Sequence, residues 1–344
     1  MKENSGFHLF QLPNDVLEKV LRRMDWIELI LFSLCSIHSK QAVCNLHLST
    51  NKITIPFISE DFIQVYFGFI GFSEEIRLTL QISPEPGNIK VLAFSLEQLC
   101  RGNALESSDV MDGTMMFLEE WIQHFQLIFH HPKIDHLGLD SRCEVFDLAL
   151  VNKIFQRVQF LELKKLNPEL LAKILKTLDH PKSIYLQGNS FKTPESSQIL
   201  LSQRFLSLNL NADFCNWSKF KIDELTLINS RYVKLQGLKG VTEKDLNRFL
   251  RLWRTGENPF LEFMEMKLEM GRTMDKSLIL KGLEHKEHPQ DKVREHKNCY
   301  GLPSGFTFQG GCDIERKDGS RMTLFVRNIW MLPVVRFFVW PRKL

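Results

Sequence analysis

Four residues between positions 285 and 299 have the types and spacing of a metal site: His285-x-x-His288, then His296-x-x-Cys299. Imidazole and thiolate suit zinc, and two such pairs are a known tetrahedral arrangement. The segment around them, from Gly282 to Gly301, is charged, poor in strand formers and interrupted by Pro289. A solvated loop with scattered histidines accounts for it, so no metal is expected there. His124, His130, His131 and His136 read as a helix end and a turn, without a carboxylate pair to complete a site. There is no phosphate-cradling glycine loop, no Gly-x-Ser-x-Gly elbow and no His-Glu-x-x-His. Glu119 and Glu120 are adjacent, and on a helix they point in different directions. The expectation is therefore no catalysis and no cofactor. A metal-dependent enzyme using His285, His288, His296 and Cys299 is kept as the last of three readings.

Composition excludes further classes. A net charge of +3 over 344 residues argues for no nucleic-acid partner, and Arg22-Arg23 and Lys164-Lys165 are isolated pairs. No window is apolar for long enough to span a bilayer, so no membrane partner is expected. Residues 1–6 are polar and no signal peptide follows. Seven cysteines without regular spacing suit a reducing compartment, cytoplasmic or nuclear. Without a secretory signal Asn216-Trp217-Ser218 reads as a chance glycosylation match. The 27 phenylalanines are ample for a core, with rings to spare for a surface.

The elements begin with three short helices. Leu12-Pro13 sets the first start, since proline lacks only an N–H that a first turn leaves unpaired. Val16, Leu17, Val20, Leu21 and Met24 follow at helical spacing. Asp25 and Glu28 form a capping box for the second helix, which carries Ile27, Leu29, Ile30, Phe32 and Leu34. Ser36 caps the third. About forty residues cannot bury that much apolar surface alone. The run from Leu12-Pro13 through Val20-Leu21 and Met24, with Glu28-Leu29 and Phe32-Ser33-Leu34-Cys35-Ser36, resembles an F-box, of the flavour expanded in nematodes.

Downstream, residues 53–58, 64–72 and 76–82 read as strands, 83–88 as a turn, 101–113 as a surface loop and 115–129 as a helix. Val91 to Leu99 is ambiguous. Six short alternating strands follow, at Leu137-Gly-Leu139, Leu161-Glu-Leu163, Ile184-Tyr-Leu186, Leu206-Ser-Leu208, Leu225-Thr-Leu227 and Met264-Glu-Met266. Their steps are 24, 23, 22, 19 and 39 residues, with helical stretches at 145–155, 168–178, 194–201 and 242–253. This is the pattern of an irregular leucine-rich-repeat-like solenoid, in which stacked units close a common core. Asn189 and Asn211 stand where such repeats often place asparagine. A doubly wound sheet is the rival architecture. The expected fold is therefore α+β or α/β: an F-box at 7–48, a linking segment at 49–133, and a repeat-like domain at 134–344 with a C-terminal β-hairpin.

The longest step contains Val241 to Trp253, then Gly256-Glu257-Asn258-Pro259-x-Leu261-Glu262-Phe263. Thr242 and Asp245 cap a helix whose stripe is Leu246, Phe249, Leu250 and Trp253. This phrase, with Asp313 to Gly319 and Phe338-Val339-Trp340, resembles the type-two F-box-associated domain. For the hairpin, a three-residue loop Lys317-Asp318-Gly319 pairs Ile314 with Met322 and Cys312 with Leu324, and gives Gly319 the left-handed position.

The resemblance implies a substrate-recognition subunit of a cullin-based ubiquitin ligase that does no chemistry itself. A Skp-type adaptor would dock on Leu12, Pro13, Val16, Leu17, Val20, Leu21, Leu29 and Leu34. A target protein would be held by the other domain. A ligase-independent binding scaffold is the second reading. In strands whose paired leucines face the core, the intervening residues form an outward lattice. From it Phe160, Glu162, Lys164, Tyr185, Phe205, Phe263 and Lys267 are the candidate target contacts, aromatic residues being common interface anchors. Cover by a neighbouring helix or the C-terminal hairpin would instead make those rings core.

Overall fold

The computed structural model describes residues 9–69, 74–100, 103–107, 110–112, 116–178, 181–188, 194–211, 222–296, 306–329 and 332–340. Asn189, Cys299 and the 216–218 sequon lie outside them. The chain divides into two compact units, Met1–Gln159 and Phe160–Leu344. No helix is long and apolar enough to cross a membrane among the described residues.

The first unit begins with α1 (Asn14–Leu21), α2 (Trp26–Cys35) and α3 (Ile37–Cys44). The Asp25–Glu28 capping box forms in both directions, at 2.8 and 3.0 Å, and Ser36 accepts from the Ser39 amide at 3.0 Å. Next come β1 (Thr50–Ile55), β2 (Phe62–Phe69), β3 (Glu74–Glu85), β4 (Asn88–Cys100), β5 (Asn103–Ser107), β6 (Met111–Asp112), α4 (Leu118–Ile128), β7 (His136–Asp140) and α5 (Leu148–Ile154). The sheet order is β7-β1-β2-β3-β4-β5, with β6 also on β4. Among the described residues of this unit only the β1–β7 pair is parallel. The glycine in Leu137-Gly-Leu139 is required by close approach, since a Cβ on Gly138 would sit 1.8 Å from the Pro56 carbonyl oxygen.

Two expectations are corrected here. The described part of 101–113 is not one loop: it contains β5 and β6, each pairing antiparallel with β4. The 83–88 turn shrinks to Pro86-Gly87 between two long strands, and Gly87 has φ +76°.

The second unit runs β8 (Phe160–Lys164), α6 (Pro168–Thr177), β9 (Ser183–Gln187), α7 (Pro194–Ser202), β10 (Ser207–Asn211), α8 (Ile222–Leu227), β11 (Tyr232–Leu238), α9 (Glu243–Thr255) and β12 (Phe263–Leu268). It continues with α10 (Lys276–Ile279), β13 (Lys286–Glu287), β14 (Val293–His296), β15 (Phe306–Gln309), β16 (Cys312–Glu315), β17 (Arg321–Ile329) and β18 (Leu332–Trp340). β8 to β12 are parallel and in sequence order; β18, β17, β16 and β13 then extend the sheet antiparallel. The result is an α+β arrangement. The hairpin has the expected register, Ile314 against Met322 and Cys312 against Leu324, and Gly319 has φ +84°.

The fifth expected strand is a helix. Leu225-Thr-Leu227 belongs to α8, and the strand in its place is β11, with Val233 and Leu235 inward. Three residues of alternation cannot separate a strand from a helical turn. The observed register aligns Leu161, Ile184, Leu208, Val233 and Met264, so the steps become 23, 24, 25 and 31. The fourth core pair is accordingly Leu208 and Leu210, with Leu206 just before the strand.

Against the helix-facing side of this sheet lie Leu171, Ile174, Leu200, Leu225, Leu246, Phe249, Leu250 and Trp253, all fully buried. α9 shows why: its Thr242–Asp245 capping box fixes one end and Gly256, at φ +126°, ends the other. Each large apolar side chain buried this way contributes about 1.5–3 kcal/mol.

The Gly256-Glu257-Asn258-Pro259 phrase has a structural task. Asn258 is buried, has φ +50°, and donates both amide hydrogens, to Leu225 O at 3.0 Å and Ile228 O at 2.8 Å. It thereby closes the C-terminal end of α8. Asn258→Ala should destabilise the unit by about 3 kcal/mol, from two orphaned carbonyls and a strained left-handed backbone. Asn258→Gly should recover only the backbone part. Urea denaturation of the variants checks this, and equal losses would assign the whole effect to the side chain.

Candidate interaction surfaces

The F-box presents part of its apolar stripe to solvent. Pro13 and Val16 are exposed, and Leu12, Leu17, Val20 and Leu34 are half-buried. Leu21 and Leu29 are at 1% and 5% exposure and serve the interior of the unit. Three further residues enlarge the belt. Phe10 and Ile37 are 50% and 85% exposed, and Phe32 stacks on Phe10 at 6.0 Å. Phe10 precedes the helix-start proline, and Ile37 follows a cap; neither falls on the periodic stripe that singled out the others.

Other residues of the F-box are fastened down. Trp26 stacks on Phe69 at 3.7 Å, and His130 bonds the Cys44 carbonyl at 2.9 Å. Ser33 donates to Ile30 O at 2.6 Å, which leaves it to accept from Nε2–H of His124 at 2.8 Å. Burial, helped by the charge of Lys40, lowers the His124 pKa to about 4. A folded value below the unfolded 6.5 means a contribution fully present above pH 6.5 and lost as pH falls to about 4. The loss is on the order of 3 kcal/mol. His124→Gln, which keeps a donor for Ser33, should flatten this acid limb. Hydrogen exchange in α2 and α4 between pH 7 and pH 4 checks it.

In the second unit the outward lattice is partly covered. Phe205 and Phe263 are buried at 2% and 0%, while Phe160, Glu162, Lys164, Tyr185 and Lys267 are half-buried. Over Phe263 the cover is the β14–β15 pair. Phe308 stacks on Phe338 at 4.4 Å, and with Tyr232, Phe263 and Phe325 these rings form one cluster against which Leu206 and Trp340 pack. At the other end of the face, Lys164 pairs with Glu162 at 3.0 Å, and Asn211 donates to the Tyr185 hydroxyl at 3.1 Å. The residues around Leu225 and Leu227 expected to join the lattice, Glu224, Thr226 and Ile228, do not, since the first two are on α8 and Ile228 follows it directly.

The histidine loop is organised around Asp313. This buried carboxylate accepts from Arg294 at 2.7 and 3.1 Å, from His288 Nε2 at 2.9 Å and from Thr323 Oγ1 at 2.6 Å. Arg321 Nε lies 3.3 Å away. Trp340 Nε1 donates to Thr323 Oγ1 at 2.7 Å, and Arg294 lies over the Trp340 ring at 4.9 Å. Burial pushes the Asp313 carboxyl up, but the hydrogen bonds from Arg294, Thr323 and His288 together outweigh it and hold it below the usual carboxylate range. His296 donates to Val339 O at 3.1 Å, and His285 to Leu283 O at 2.8 Å. Each of these histidines thus has a separate partner. Among the described residues no group of three or more His, Cys, Asp or Glu is placed to hold a metal ion.

Two clefts open beside this network. One, of about 710 Å³, is lined by Arg231, Phe260, Glu262, His296 and Trp340 among others. The second, of about 510 Å³, is lined by Arg254, Lys286, Arg316, Lys317 and Arg321 with Glu284, His285, Asp313 and Glu315.

Comparison with protein families gives two matches: the F-box domain over residues 9–51 and the F-box associated family over residues 196–266. The chain is an F-box protein that also carries an F-box-associated domain. The second match covers α7 to β12, including Asn258, and ends before the β16–β17 hairpin. No curated protein and no solved structure matches the chain.

Proposed function

We propose that this protein is an intracellular substrate-recognition subunit of a cullin-based ubiquitin ligase. The F-box docks on a Skp-type adaptor and through it on a cullin, and the second unit holds a target protein. One observation carries the reading: within the F-box match, Leu12, Pro13, Val16, Leu17 and Val20, with Phe10, Phe32 and Ile37, leave apolar surface uncovered, while Trp26, Ser33 and Cys44 fasten the module to the rest of its unit. Exposed apolar patches of this kind mark interaction sites. Leu34 borders that surface, and Leu21 and Leu29 support it from beneath.

Phe160, Glu162, Lys164, Tyr185 and Lys267 are the accessible part of the proposed target face, whereas Phe205 and Phe263 shape it from within. The parallel run β8 to β12 acts here as an irregular leucine-rich-repeat-like array. The mechanism is effective concentration: a target held near the ubiquitin-carrying enzyme meets it as if tethered. Size-exclusion chromatography of the full chain with purified adaptor tests the first step. A stoichiometric complex that then recruits cullin supports the ligase. A complex without cullin favours a scaffold outside the ligase.

A further inference from the structure

The cleft of about 510 Å³ beside the β16–β17 hairpin gathers five formal positive charges against three negative ones. How its arginines are held matters more than the count. Several arginines elsewhere are neutralised by carboxylates, as Arg22 is by Glu18, Arg142 by Asp140, Arg272 by Glu243 and Arg336 by Glu265, although Arg251 is held by the Lys281 and Gly282 carbonyls. Here Arg254 donates Nε to the Glu315 carbonyl at 3.2 Å, and Arg316 donates to the Gly256 carbonyl and lies over the Trp253 ring at 5.5 Å. A carbonyl fixes a guanidinium without cancelling its charge. The nearest carboxylate oxygen to Arg316 is 3.8 Å away, on exposed Asp318.

The acids of the lining compensate only in part, through the contact of Asp313 with Arg321. Asp313 is saturated by Arg294, His288 and Thr323. Glu284 and Glu315 are on the exposed rim. Lys286 and Lys317 are exposed and make no ion pair among the described residues. Arg321 is steadied by Asp313 through Nε and by the Trp340 ring at 5.6 Å, which leaves its terminal amines for the cleft. Preorganised guanidinium forks with unspent charge match the oxygens of phosphate or carboxylate groups.

We propose that this cleft receives an oxyanion-bearing side chain, phosphoseryl or carboxylate, from a segment of the bound target. The inference rests on the reading of the second unit as the target-holding part. Its test uses the full chain and three immobilised degenerate peptide pools that differ only in a central phosphoserine, glutamate or serine. The phosphoserine or the glutamate pool should be retained about tenfold better than the serine pool. Which of the two is preferred identifies the source of the oxyanion. The exposed double reversal Lys286→Glu/Lys317→Glu should abolish the preference with an unchanged thermal midpoint, and Arg254→Gln should weaken it. Reversal of Lys239, an exposed lysine outside the cleft, should leave it intact. Equal retention of all three pools, or equal loss on reversing Lys239, overturns the proposal. Adaptor binding is measured on the same preparations. Its persistence with no pool preference sinks the cleft alone, and its absence sinks the ligase reading whatever the pools show.

Discussion

Asp313→Ala should cost the second unit about 3–5 kcal/mol, the loss typical when one partner is removed from a buried ion pair. Arg294 would remain under Phe308 and Trp340 with no carboxylate, and Thr323 and His288 would each lose a partner. Because this network seats the β14–β15 pair on the sheet, hydrogen exchange should accelerate first in β14, β15 and the β16–β17 hairpin. The effect has a pH signature. The folded carboxyl lies below its unfolded range, so the stabilisation is complete above about pH 4 and fades as pH falls through the lower folded value. Wild type and Asp313→Ala should therefore converge in acid. Asp313→Asn should retain part of the hydrogen bonding and fall between them. A difference below about 1 kcal/mol at neutral pH, the range of an exposed pair, would mean the network is not a structural centre.

Leu12→Ala/Pro13→Ala should remove adaptor binding while leaving the fold in place. Leu12 is half-buried and Pro13 exposed in the chain by itself, so truncation leaves little cavity. Anchors buried by a partner typically cost about 2 kcal/mol or more each, so the pair should weaken the complex at least about several hundredfold. Leu21→Ala and Leu29→Ala should behave in the opposite way. Both residues are buried, and their truncation should lower stability by about 2–5 kcal/mol. Titration of each variant with adaptor, alongside its thermal midpoint, separates contact from support. Wild-type adaptor affinity in the double variant would remove the apolar belt from the docking surface.

The sequence by itself determined what depends on neighbours a few residues apart. The F-box helices and their caps at Asp25–Glu28 and Ser36 are local, and so is α9 between Thr242 and Gly256. The β16–β17 register follows from loop length and from which residues must share a face. Only the tertiary structure decided the rest. Leu225-Thr-Leu227 could be strand or helix until Asn258, some thirty residues on, closed α8 and β11 took the vacant place in the sheet. Residues 103–107 and 111–112 became strands because β4 offers an edge that no local pattern announces. Phe205 and Phe263 looked outward by alternation, yet alternation assigns a side of the sheet and says nothing of what lies on it. The β14–β15 pair covers Phe263, and it is held there by Asp313, whose partners at 288, at 294 and at 321 and 323 come from three separate points of the chain. Caps and periodicity act over a helical turn or a hairpin, whereas burial and charge pairing are properties of the assembled sheet.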